Sequence, residues 1–304
     1  MQNPFALIFA AMYYFLYGLF YLLSLLPWWF LYVISDGIYL LIYYIIKYRR
    51  DIVAGNLRIA FPEKTEEERI KIAKEFYHNL IDTFVETIKL FSISEKELNK
   101  RCTTNIEVVN ELFKTGKNIH LLGGHFFNWE VINFATTANL RHPMIVVYMP
   151  LKNKAINRLL IKLRSKFGSV LVATTEFKTV FHHYAKKPYA LGLVADQNAG
   201  HTGKAYWVSF FGKMVPFIRG PEKGARSMDT CVVMTNFYKV KRGYYKVEYS
   251  VLTTNPNEMK EGEITKQLIA FIENCIRSHP SNYLWSHRRW RWDFHEAKHG
   301  HLAI

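Results

Sequence analysis

The chain is 304 residues long and 50% hydrophobic, enough to bury a sizeable core, which excludes a disordered protein and allows one large or two small domains. Lys and Arg number 40 against 25 Asp and Glu, and the resulting +15 would attract anionic lipid headgroups, nucleic acid or an acidic carrier protein without choosing among them. The three cysteines, Cys102, Cys231 and Cys275, are far apart and odd in number; they offer neither a disulfide framework nor a metal-ligand pair, and place the soluble part in a reducing cytoplasm.

No side chain from Met1 to Ser35 is charged, and the run Phe5 to Leu26 is long enough to cross a bilayer as a helix. It reads as a retained anchor, because it lacks the basic start and small-residue cleavage site of a signal peptide. A second apolar stretch, Phe30 to Ile46, carries Asp36 near its middle. A lone carboxylate in lipid costs a few kcal/mol, so this stretch is expected at the interface or packed on the domain. Lys47, Arg49 and Arg50 follow, a basic group of the kind held on the cytoplasmic side. Residues 1–47 are thus expected to form a membrane anchor with an interfacial helix, and residues 48–304 one continuous domain, since no linker, repeat or low-complexity tract interrupts them.

Thr65 and Glu68 make a capping box for an amphipathic helix over 65–91, with Ile72, Phe76, Leu80, Phe84 and Ile88 along one face. Beyond it, short apolar runs at 118–122, 144–148, 169–173, 190–195 and 231–238 alternate with helical stretches near 153–166, 175–187 and 261–278. Buried strands separated by helices predict an α/β fold with a central, mostly parallel sheet flanked by helices.

The segment from Asn118 to Glu130 reads as a buried strand, a Gly123-Gly124 turn and the start of a helix. Residues five apart on one helix point roughly 140° away from each other, so His125 and Glu130 can meet only with His125 in the turn and Glu130 on the first helical turn. There the carboxylate can accept from one imidazole nitrogen and leave the other free to take a proton from a bound hydroxyl. Backbone N–H groups after the glycines are candidate oxyanion donors. The rival readings are a capping or core histidine and a metal ligand; no Cys or second His-Glu group at ligand spacing supports a metal, and no cofactor is implied. Arg164 to Gly168 ends a basic helix that could equally be a solvated face. Asp196 and Gln197 stand with Gly200 at a strand end, where α/β domains build sites. Phe210 to Pro216 leads as a loop into a helix near Gly220 whose N-terminus could receive an anion. Trp285 to Trp292 interleaves bases and indoles; beside an N-terminal anchor this favours membrane contact over nucleic acid.

In order, these segments resemble the late acyltransferases of lipid A biosynthesis, the lauroyl/myristoyl branch of the lysophospholipid acyltransferase superfamily. The resemblance covers almost the whole chain: the apolar start, Tyr48-Arg49-Arg50 through Asn56-Leu57 and Phe61-Pro62-Glu63, His125 and Glu130 as the His-x4-acid motif, Arg164 with Gly168, Asp196-Gln197 with Gly200, Phe211-Gly212, and Tyr283 to Arg289. It implies transfer of an acyl chain from acyl carrier protein to a hydroxyl of a lipid A precursor at the cytoplasmic face of the inner membrane. His125 would be general base without a covalent intermediate, Glu130 its partner, and Arg164, Gly168, Asp196 and Gln197 would bind substrate. The chain departs from the family pattern at Met234, where relatives commonly carry a proline after the strand, which leaves the adjacent loop open. Two rivals stand beside this reading: acylation of another lyso-lipid, and a membrane-tethered polyanion binder suggested by the charge and the tryptophan-arginine tail.

Overall fold

The computed structural model describes residues 4–185 and 188–304, and side chains from Phe9 onward. Met1 to Asn3, at the head of the uncharged run, and the last two residues of the helix expected over 175–187 lie outside the described residues. Nine strands appear: β1 (Cys102–Thr104), β2 (Ile119–Gly123), β3 (Met144–Tyr148), β4 (Val170–Ala173), β5 (Ala190–Val194), β6 (Ala205–Phe210), β7 (Lys213–Ile218), β8 (Cys231–Lys241) and β9 (Tyr244–Thr253). Seven of them form one sheet in the order β1-β9-β8-β2-β5-β3-β4, parallel throughout except between β8 and β9. Strand β2 is central and buried at every residue, which is why its sequence is a continuous apolar run with a histidine in it rather than an alternation.

The helices are α1 (Pro4–Ser24), α2 (Trp28–Leu40), α3 (Arg50–Ala60), α4 (Glu66–Lys89), α5 (Glu95–Arg101), α6 (Glu107–Glu111), α7 (Trp129–Asn139), α8 (Lys154–Arg164), α9 (Phe177–Tyr184), α10 (Gly220–Ser227), α11 (Glu263–Ser278) and α12 (Glu296–His299). The capping box at the head of α4 forms as expected: Thr65 Oγ1 accepts from the Glu68 N–H at 3.3 Å, and Glu68 returns the bond to the Thr65 N–H at 2.7 Å. The parallel strands and their crossover helices match the expected α/β layering.

Three expectations change. Residues 205–218 form an antiparallel hairpin, β6 with β7, rather than a loop; Phe211 and Gly212 both take positive φ (51° and 73°) in its two-residue turn. Strand β8 runs on to Lys241, so Met234 sits buried within it, opposite Leu122 of β2, and no loop follows at that point. Gly123 and Gly124 are not turn glycines of positive φ. A Cβ on Gly123 would lie 2.8 Å from the Thr235 backbone oxygen, which close packing forbids, and one on Gly124 would lie 3.1 Å from the Phe126 ring, a tight fit that the ring would have to yield to.

The N-terminal helices lie on this domain. Helix α2 continues through a π-helical turn, Leu41–Ile46; together, Trp28–Ile46 is 19 residues long and the one described helix long and apolar enough to cross a membrane by length and composition. Asp36 is not a lone carboxylate: Arg242 grips it at 2.6 and 3.1 Å and bonds Asp82 of α4 as well.

Candidate active site

Register positions the central pair. The last residue of β2, Gly123, is paired with the last of β5, Val194, so the two chains leave the sheet side by side and the second residue beyond each, His125 and Asp196, comes into contact. Asp196 Oδ1 lies 2.5 Å from His125 Nδ1, and Oδ2 accepts the His125 backbone N–H at 3.1 Å. Two bonds to one residue fix both the tautomer, with the proton on Nδ1, and the ring's orientation. Asp196 is fully buried. Burial works against its charge, but the His125 imidazole and N–H and the Tyr283 hydroxyl outweigh that and hold the carboxyl below its ordinary value. Burial likewise opposes a charged imidazole at His125, yet the Asp196 charge and hydrogen bond prevail and raise it above the usual histidine value. The other nearby imidazole, His287, is pushed down to about 4, first by burial and then by Arg289, His125 and Arg49, against a raising contribution from Asp196; it stays neutral. Its Nε2 accepts the Asn198 N–H at 3.2 Å.

Glu130 does not stand behind His125. Asn128 caps α7 by accepting from the N–H groups of Glu130 and Val131, which aims the Glu130 side chain at the end of α8. There Arg164 Nε donates to both carboxylate oxygens at 3.0 Å and Nη2 to one at 2.5 Å, with Trp129 Nε1 adding a bond at 3.2 Å. Spacing alone suggested a partner five residues away, whereas sheet adjacency supplies one 71 residues away and leaves Glu130 to the Arg164 guanidinium at its end of the cavity. Among the described residues Arg164 Nη1 has no partner.

His125, Glu130 and Arg164 line a single cavity of about 410 Å³ at the carboxyl ends of β2, β3 and β5. Its walls are otherwise mostly apolar, with Leu121, Met144, Val146, Leu160 and Phe237 among them. The volume falls in the range of ligand pockets, roughly 300–1,000 Å³, and the position is where parallel sheets place their ligands. The expected oxyanion donors are engaged, since the His125 N–H serves Asp196 and the Phe126 N–H bonds the Gly124 carbonyl.

The sequence matches the bacterial lipid A biosynthesis acyltransferase family over residues 5–292. The chain belongs to this family. It is an acyltransferase, and it is similar to the lipid A biosynthesis palmitoleoyltransferase of Escherichia coli strain K12, 23% identical over 81% of this chain and 80% of the relative. The lipid A biosynthesis lauroyltransferase of the same strain is also 23% identical, over 90% of this chain and 89% of its own. A lipid A biosynthesis acyltransferase of Haemophilus influenzae shares 23% over 79% of this chain and 74% of its own length.

Other anticipated residues of the acyltransferase fall differently. Gln197 is half-buried and Gly168, with φ of 104°, closes the turn after α8; neither lines the cavity. The N-terminus of α10 is also away from it. Part of the Trp285–Trp292 stretch is folded in: Trp285 is fully buried and Arg289 is 1% exposed. Arg289 bonds Asn198 Oδ1 and the Pro216 carbonyl, both at 3.0 Å, and lies over the Phe217 ring. Asn56 Nδ2 binds the carbonyls of Trp285 and His287, and Arg49 that of Ser286. Trp285, Ser286 and Arg289 are therefore a clamp around the Asp196 turn, whereas Arg288, Arg291 and Trp292 remain exposed. Sequence reasoning missed Asn128 as the cap that aims Glu130, though an Asn directly before a helical start was the available signal.

Proposed function

We propose that this acyltransferase moves a fatty acyl chain from the thioester of an acyl carrier protein to a hydroxyl of a lipid A precursor, with His125 as general base and no covalent intermediate. The observation that carries the reading is an imidazole whose Nδ1 is tied to a buried carboxylate while its ring borders a mostly apolar cavity. In this mechanism the acceptor hydroxyl gives its proton to His125 Nε2 as its oxygen attacks the thioester carbonyl. The tetrahedral intermediate then expels the thiolate, which takes the proton back from the imidazolium. Asp196 orients the ring and stabilises its charged form; such general-base assistance contributes about 10²–10⁴-fold.

Glu130 acts in this reading as the holder of Arg164, whose free Nη1 is available to an acceptor phosphate or to the developing oxyanion. The acyl chain occupies the apolar part of the cavity. The net charge of +15 suits an acidic carrier, and residues 1–47 anchor the enzyme at the cytoplasmic face of the inner membrane. Incubation of the purified enzyme with lipid A precursor and carrier-bound acyl chains of several lengths tests it, with transfer expected for wild type and none for His125→Ala. A well-folded, fully active His125→Ala enzyme overturns the mechanism. Mass spectrometry of lipids from a deletion strain tests the acceptor, with underacylated lipid A as the expected result.

A further inference from the structure

We propose that α1 and α2, both packed on α4, lie in one leaflet, neither crossing the bilayer, and present their outer faces with a basic row as a docking surface for anionic lipid. The reading stands apart from the acyl-transfer mechanism, since it rests on how the two helices are tied down.

Helix α1 runs parallel to α8 over about two turns. Lys154 lies over the Phe9 ring, Arg158 over Tyr13 and Lys162 over Tyr17, at 5.9, 4.5 and 4.5 Å from the centroids. Tyr13 is buried against Ala155 and Leu159 beneath that row. Helix α2 runs antiparallel along α4: Tyr32 donates to Glu86, Ser35 donates to Asp82 at 2.7 Å, and Tyr39 stacks on His78 with centroids 3.5 Å apart. The turn between them is pinned too, because Lys89 Nζ and Ser92 Oγ both donate to the Ser24 carbonyl. Were either helix to cross, it would carry these cations, or the Asp36–Arg242–Asp82 cluster, to membrane depth, where charged side chains are costly. Length and composition permit a span, but the lateral charges forbid it.

The opposite faces are apolar and open. Tyr14, Phe15, Leu22, Trp29, Val33 and Ile45 are 61–73% exposed, a surface far beyond scattered exposed residues. The exposed cations Lys154, Arg158 and Lys162 flank it, which selects an anionic leaflet over a second copy of the chain, whose own basic row would meet this one in a self-complementary pairing. Met149 and Leu151, exposed at the cavity mouth, shortly precede α8, the helix that carries the basic row.

The full-length protein carries hydrophilic epitope tags at the N-terminus, after Leu26 and at the C-terminus, and its membrane vesicles of both orientations are treated with protease. All three tags are expected on one side. An N-terminal or inter-helix tag on the side opposite the C-terminal tag overturns the proposal. Purified protein is then floated with phosphatidylcholine vesicles with or without phosphatidylglycerol. Replacing Lys154, Arg158 and Lys162 with Gln is expected to weaken partition about a hundredfold into the anionic vesicles only. Phe15→Ser with Val33→Ser, changes at outward positions, is expected to weaken both. Equal binding of wild type to the two vesicle types overturns the anionic choice. Loss of a dimer in the Phe15→Ser, Val33→Ser protein with unchanged flotation assigns the face to a second copy instead.

Discussion

The two sides of the cavity each hold a buried carboxylate and one basic partner, and they are built on different principles. On the sheet side, His125 and Asp196 meet because β2 and β5 are neighbours in register, so the pair is set by topology. On the helix side, Glu130 and Arg164 meet because a capped helix start faces the end of another helix, so the pair is set by local packing. The sheet-side imidazole has a free nitrogen to exchange a proton; the helix-side guanidinium cannot give one up and can only position or stabilise charge. Adjacency in sequence, which links His125 to Glu130, says little about which acid serves which base.

The largest effect separating the two sides is expected from His125→Ala, which should lower kcat/KM by up to about 10⁴-fold in the carrier-dependent assay while leaving vesicle binding intact. Asp196→Asn should cost about 10²-fold and also move the acid limb of the kcat/KM–pH profile. The sign follows from the pair: Asp196 raises the imidazole, so losing its charge lowers the pH at which the base becomes protonated. Stability follows the same linkage. The raised His125 contributes below the ordinary histidine value and loses its contribution as pH climbs through the raised one. The lowered Asp196 contributes above the ordinary carboxylate value and loses its contribution on acidification. Denaturant unfolding of wild type against Asp196→Asn should therefore differ most at weakly acidic pH and differ less towards alkaline pH, where the His125 part is lost and the Asp196 part remains.

Glu130→Gln is expected to have a smaller effect, about tenfold on KM, with the acid limb unmoved, because it loosens Arg164 without touching the imidazole. A shifted limb in Glu130→Gln and an unshifted one in Asp196→Asn would reverse the comparison and restore the partnership suggested by spacing. Smallest on chemistry is Gly123→Ala: it should lower stability by about 1–3 kcal/mol in thermal unfolding, through contact with the Thr235 carbonyl, and leave the pH profile as it is.

The strands were legible because parallel strands buried on both faces read as unbroken apolar runs, and β3 was found to the residue, Met144–Tyr148. Strand β9 was not, although Tyr245, Val247 and Tyr249 alternate inward; the turn before it rests on Gly243 at φ of 75°, preceded by basic residues that read as loop. The β6–β7 hairpin was hidden because its turn places Phe211 in the left-handed region, where Asn or Gly would have announced it. Every residue now found at the central pair stood among the site candidates. What local spacing could not supply was the strand order, and strand order decides that Asp196, rather than Glu130, meets the imidazole.

The clamp around the Asp196 turn has a consequence for how the enzyme matures. Residues 285–289, which hold Asn198 and are themselves held by Arg49 and Asn56, leave the ribosome more than 200 residues after α1 and α2. A growing chain can therefore settle its outer helices long before its His125–Asp196 pair is braced. Stops before Trp285 would therefore yield fragments that keep the outer helices and lack the brace.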